Sequence, residues 1–154
     1  MSDKPRGTKV IAENRRARHE YEILDTMEAG MALLGSEVKS LRGARASIAE
    51  AYVRFDKREA FLVDAHISPY PQANRNNHEP RRPRKLLLNH TEINRWAKKI
   101  TEKGLTVVPL KMYFLGPWAK VEIGLVRGRK LHDKRDAMKE RDDKREMERA
   151  VRNR

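Results

Sequence analysis

The chain has 154 residues, 35 Lys plus Arg against 22 Asp plus Glu, a net charge of +13 and no cysteine. That length suits one ordinary domain with an appendage, and the absence of cysteine excludes a disulfide framework and any thiolate metal site. No stretch approaches membrane-spanning length and the charged start, MSDKPRGTKVIAENRRARHEY, lacks the apolar run of a secretory signal, so a soluble cytoplasmic protein is expected.

In chain order, residues 1–18 come first, a segment with six basic and two acidic side chains. HEYEILDTME follows and reads as a first strand, with Tyr21 and Ile23 on one side. GSEVKSLRGARA reads as a helix with Ser36 as N-cap, ending by Gly43. EAYVRFDKREAFLVDAHI reads as two short strands joined by a polar turn at Asp56 to Arg58. SPYPQANRNNHEPRRPR has no periodicity and is rich in Pro, Asn and Arg, so a mobile surface loop is expected; residues 68–85 carry five basic and one acidic side chain. NHTEINRWAKKITEKG places Ile93, Trp96, Ala97 and Ile100 at helical spacing, with Gly104 past the end. LTVVPLKMYFLGPWAKVEIGLV is a second hairpin turning at Gly116-Pro117. Its apolar sets are Leu110, Met112 and Phe114 on one strand and Val121, Ile123 and Leu125 on the other, with Pro109 marking an edge or bulge.

The last segment, 127–154, holds twelve basic and seven acidic side chains. It has helix-forming residues but only Leu131, Met138, Met147 and Val151 to bury, so it must stay unfolded or order on a partner. The elements add up to a mainly β chain, a small antiparallel OB-like barrel with two to three flanking helices and a basic C-terminal tail. Residues 1–18 form a basic segment, 19–126 the barrel and 127–154 the tail.

The three basic segments account for the whole charge surplus and leave a neutral body. Charge clustered in this way fits a polyanion, because each phosphate neutralised releases condensed counterions. The signs of an enzyme are missing. His19, His66, His78, His90 and His132 stand in separate segments without metal-ligand spacing, and there is neither a phosphate-cradling glycine loop nor a serine elbow. No cofactor or metal is expected. Three stretches carry RNA-binding chemistry instead. ENRRARHEY offers Asn14, Arg15, Arg16, Arg18 and His19 for phosphate and sugar contacts. MEAGMALLGSEVKSLRG offers Glu28, an acceptor for a base edge or ribose hydroxyl, and Lys39. PRRPRKLLLN offers Arg84 and Lys85 beside Leu87, which can cover an unstacked base. Glu28 is equally suited to ordering an arginine.

Taken together, NRRARHEY, EAGMALLGSEVKSLR, RPRKLLLN, VPLKMYF, KVEIGLVRGRK and HDKR resemble, in that order, the SsrA-binding protein (SmpB) family. The resemblance runs from about Asn14 to Arg141. It implies an OB-like barrel that binds the transfer-RNA-like domain of transfer-messenger RNA and, with elongation factor Tu, delivers it to stalled ribosomes for trans-translation. It implies RNA contacts at Asn14, Glu28 and Leu87. It also implies a tail motif at His132, Asp133, Lys134 and Arg135, preceded by Gly128 and Lys130, that enters the vacant messenger channel and becomes helical against ribosomal RNA. A monomer with no membrane attachment is expected. The alternative is a basic OB protein built into the ribosome, or assisting its assembly, through contacts with ribosomal RNA.

Overall fold

The computed structural model describes residues 8–127, apart from the side chains at 74–76. Nine strands and three α-helices lie in that range: β1 Thr8–Glu13, α1 Arg15–Glu20, β2 Ile23–Met31, α2 Gly35–Arg42, β3 Ala46–Ser47, β4 Tyr52–Asp56, β5 Glu59–Val63, β6 His66–Ile67, β7 Arg84–Leu87, α3 His90–Lys103, β8 Leu105–Leu115 and β9 Trp118–Arg127. Seven strands form one antiparallel sheet in the order β1-β8-β9-β2-β7-β5-β4, and β3 pairs with β6. β4 lies against β8 without joining its ladder, so the sheet curls into an incompletely closed barrel. Among the described residues no helix is long and apolar enough to cross a membrane.

Both hairpins lie where the alternation predicts them. In the first, Lys57 and Arg58 form the two-residue turn at φ 45° and 71°, the doubly positive geometry that matches the twist of paired strands. In the second, Leu115 pairs with Trp118 across Gly116-Pro117. α3 is capped by the Asn89 side chain, which accepts from the Glu92 backbone N–H at 2.9 Å, and it ends at Gly104. It drives Trp96 into the barrel core, where Nε1 donates to Asp25 at 3.1 Å.

One expected face changes. Met112, Phe114, Val121, Ile123 and Leu125 do share the main core, but Leu110 packs with Ala17, Val108 and Val126 on the other side of the sheet. The cause is a bulge between Pro109 and Lys111. Proline has no N–H for the ladder, and the extra residue reverses the facing of everything beyond it. Leu110 then lies across Gly124, where an added Cβ would come within 2.9 Å of its Cδ1.

The amino-terminal segment is also more ordered than its charge suggests. Residues 8–13 form β1 on β8, and Asn14 caps α1 by accepting from the Ala17 N–H at 3.1 Å. α2 begins one residue before the expected cap. Leu34 donates its backbone N–H to Glu37 at 2.8 Å, while the Ser36 hydroxyl donates to Nδ1 of buried His78 at 2.9 Å. The ring's Nε2–H donates to the Ile67 carbonyl at 2.8 Å, which fixes the tautomer.

The segment 68–85 is held by the body through a buried ion-pair node. Glu37, fully buried, receives Arg84 Nε and Arg82 Nη2, each at 2.5 Å. Burial alone would raise the Glu37 carboxyl, but Arg82, the Leu34 N–H and Arg84 outweigh it and hold the group below its ordinary range. Arg84 also donates to the Ala65 and Pro80 carbonyls, at 2.6 and 3.0 Å. Asn77 clamps the start of the segment by exchanging two hydrogen bonds with the Tyr70 backbone.

Candidate nucleic-acid interface

Strand alternation in a curled sheet leaves one set of side chains inside and the other outside. The outward set of β8 and β9 divides in two. Towards one end, α1 covers Val108, Leu110 and Val126 with Ala17. Towards the other end no helix packs on the sheet among the described residues, and register builds a row across five strands: exposed Val10 on β1 opposite buried Tyr113, Tyr113 opposite half-buried Lys120, Lys120 opposite Gly30, and Gly30 opposite exposed Leu87. Leu87 is 57% exposed and Val10 38%. Gly30 lets the leucine fold over the sheet, since a Cβ there would lie 3.3 Å from Leu87 Cδ1.

A second row runs beside the first. Glu28 stands opposite Glu122, and Glu122 opposite Lys111. Two carboxylates directly opposite on an antiparallel pair repel each other. Glu122 is steadied by Arg18 of α1, whose Nη2 donates to it at 3.2 Å. Glu28 accepts from the Tyr113 hydroxyl. Burial and then the Glu28 carboxylate push that phenol well above the ordinary tyrosine range, so at neutral pH it is a fixed donor. The Lys111 ammonium sits 5.3 Å from the Tyr113 ring centre. That half of the sheet therefore presents exposed Leu87, the cations Lys111 and Lys120 and the exposed Glu28 carboxylate, which buried Tyr113 holds from below, a mixture suited to bases, phosphates and hydroxyls.

The expected site residues separate into two groups. Arg18, Glu28 and Leu87 meet on or beside this face, and Lys85 shares the outward side of β7 with Leu87 while pairing with Glu59 at 4.0 Å. Arg15 and His19 are exposed on α1, where Arg16 pairs with Glu20 at 3.2 Å. Two expectations are corrected. Asn14 is 3% exposed and its side chain is occupied, capping α1 and donating to the Ile48 and Pro109 carbonyls. Arg84 has 0% exposure and belongs to the Glu37 node, so no phosphate reaches it. Both hold elements in place. Lys39 lies away from the rows, with its ammonium 5.6 Å from the Tyr70 ring centre. The tail residues Gly128, Lys130, His132, Asp133, Lys134 and Arg135 lie outside the described residues. Lys120, Tyr113 and Lys111 were missed from sequence. The alternation of KMYF and KVEIGLV, read with the bulge at Pro109, is the signal that marks them as outward.

Comparison with known proteins agrees with the resemblance. The family model described as SmpB protein matches residues 11–153. The SsrA-binding protein of Carboxydothermus hydrogenoformans is 54% identical over 144 residues, 94% of this chain and 97% of its own. That of Salinispora arenicola is 56% identical over 146 residues, 95% of this chain and 92% of its own. A chain from a solved structure of tmRNA-SmpB and the bacterial ribosome matches with a TM-score of 0.64 at 51% identity, over 77% of this chain and 84% of that one. On a match of that length and identity, shared by sequence and fold, the chain belongs to the SmpB family of SsrA-binding proteins.

Proposed function

We propose that this protein binds the transfer-RNA-like domain of transfer-messenger RNA and carries it to stalled ribosomes in trans-translation, acting by binding rather than by catalysis. The observation that carries this reading is the outward row Val10–Tyr113–Lys120–Gly30–Leu87, whose ends are exposed, with the exposed Glu28 beside it. A face that keeps an exposed leucine and two opposed carboxylates in a chain of net charge +13 is poorly arranged for stability and well arranged for a structured RNA.

Division of labour follows the chain. The barrel grips the RNA, and the basic tail from 127 to 154 enters the vacant messenger channel, where ribosomal RNA supplies the surface on which it becomes helical. Elongation factor Tu accompanies the complex, and the site of action is the cytoplasm. The reading is tested by purifying the protein from its host after a salt wash that removes ribosomes. Transfer-messenger RNA should remain bound. Retention of ribosomal RNA fragments in its place would favour a ribosomal structural or assembly protein.

A further inference from the structure

Glu28 is an exposed carboxylate on a chain of net charge +13, yet no cation lies within ion-pair distance of it among the described residues. Two cations of the same face are committed elsewhere. Arg18 donates to Glu122 at 3.2 Å, and the Lys111 ammonium sits 5.3 Å from the centre of the Tyr113 ring. Glu28 therefore orders no arginine, which was one of the two roles open to it from sequence.

What Glu28 does have is the Tyr113 hydroxyl, which donates to its Oε2, while Oε1 takes no hydrogen bond among the described residues. The two residues stand on strands that are not neighbours. β9 lies between β8 and β2, and adjacent strands are about 4.8 Å apart, so the phenol has to cross β9 to reach the carboxylate. Lys120, opposite Tyr113, and Glu122, opposite Glu28, are the outward residues of β9 at that crossing. Tyr113 is 7% exposed, too buried for its ring to stack on a base. A packed tyrosine has little freedom to lose and a glutamate has much, so the ring is a stiff support for a flexible acid. Because the phenol stays protonated at neutral pH, its donation is permanent.

We infer that Tyr113 is a positioning residue for RNA recognition: its hydroxyl ties Oε2 of Glu28 to the sheet and leaves Oε1 as a single fixed acceptor for one N–H or O–H donor of the RNA. That role rests on the proposed binding of RNA by this face. Released from the phenol, Glu28 would swing away from Glu122, its like charge directly opposite, and lose its aim. Pinned, it is ordered before RNA arrives, so binding does not bear the cost of ordering it. Its charge opposes the phosphates, so what it adds is a directed hydrogen bond that a misplaced RNA does not make.

The test is a double-mutant cycle in the full-length protein, with Tyr113→Phe and Glu28→Ala made singly and together. Affinity for the labelled transfer-RNA-like domain is read by fluorescence anisotropy at several salt concentrations, and melting curves check the fold. Tyr113→Phe keeps the ring and its packing, so the melting temperature should be nearly unchanged. It should weaken binding about fivefold, the effect of freeing one rotamer-rich side chain. The slope of log affinity against log salt should stay that of the parent, because no phosphate contact is lost. In the Glu28→Ala background the same substitution should change affinity by less than about twofold. Equal losses in the two backgrounds overturn the inference, since the hydroxyl would then act on RNA directly or on the fold as a whole. So does a Tyr113→Phe variant that binds like the parent, or one whose salt slope becomes shallower. Transcripts carrying 2′-deoxynucleotides at one base type at a time then identify the donor. A loss seen with the parent and absent with Glu28→Ala marks a ribose hydroxyl, equal behaviour of the two proteins marks a base N–H, and either supports the single acceptor. Failure of the parent protein to bind the domain would instead count against the proposed function.

Discussion

Replacing Glu28 with glutamine should stabilise the fold and weaken RNA binding, two opposite effects of one lost charge. In the folded protein Glu28 faces Glu122 directly across the β2–β9 pair. Opposed like charges on an antiparallel pair cost about 0.2–1 kcal/mol, and the Arg18 contact to Glu122 at 3.2 Å softens that cost without removing it. The variant keeps an acceptor for the Tyr113 hydroxyl in its amide oxygen, so a gain of a few tenths of a kcal/mol, roughly 1–3 °C in melting temperature, is expected. Screening by net charge alone would also make the variant bind RNA more tightly. A carboxylate that accepts from a base edge or ribose hydroxyl contributes about 1.5–3 kcal/mol, however, and its loss should weaken binding roughly tenfold to a hundredfold. Fluorescence anisotropy with the labelled transfer-RNA-like domain at several salt concentrations, beside thermal melts, measures both signs. Equal or tighter RNA binding by the variant would refute the reasoning.

Glu37→Gln leaves Arg84 buried without its counter-charge and should cost about 3–5 kcal/mol, a fall in melting temperature on the order of 10 °C. Because Glu37 is held below its ordinary value of 4.5 in the fold, its contribution is present above that value and is lost as pH falls through the lower folded one. Melts by circular dichroism between neutral and acid pH should therefore converge for parent and variant as the pH drops. Leu87→Ala, at a side chain 57% exposed, should leave the melting temperature nearly unchanged and weaken binding of the transfer-RNA-like domain about fivefold, an effect of about 1 kcal/mol. Truncation after Gly128 should retain RNA affinity and abolish peptidyl transfer on stalled ribosomes in a reconstituted rescue assay; loss of most affinity would show that the barrel does not bind alone.

The hairpins and α3 were legible because each carries its own period and its own turn or cap within a dozen residues. Glu28 and Leu87 were legible as chemistry, since a carboxylate beside glycine and a leucine beside arginines are unusual company in so basic a chain. What escaped was long-range. β1 is written in TKVIAE, too short and too close to lysines and arginines to stand out, and only its ladder with β8 makes it a strand. Ser36 has the chemistry of a cap, yet His78 takes its hydroxyl from 42 residues away. Arg84 looked like one more cation in an arginine cluster, and its partner Glu37 lies 47 residues earlier. Asn14 was singled out correctly as special but for a different reason, the joining of α1 to the Ile48 and Pro109 carbonyls. Lys120 and Tyr113 needed the register of four strands before their side could be known.

The bulge at Leu110 makes chain length a determinant of the binding face. A strand has only two phases, and one residue inserted or removed exchanges them. Upstream of the bulge the even positions of β8 lie on the outer side, with Val108 beneath α1; downstream the odd positions do, with half-buried Lys111 and buried Tyr113 beside Glu28. Leu110 is the unpaired extra residue, so deleting it would join the Pro109–Ile123 pair directly to Lys111–Glu122 and keep both faces. One residue inserted after Lys111 would instead turn Met112 and Phe114 to solvent and drive Tyr113 to the core side, unless the β8–β9 hairpin slipped as a whole. Moderate substitutions at the same place change only local packing. The boundary between the half of the sheet that holds a helix and the half that is free for RNA is therefore set by counting: an insertion among the paired residues beyond the bulge exchanges the faces, and a substitution there does not.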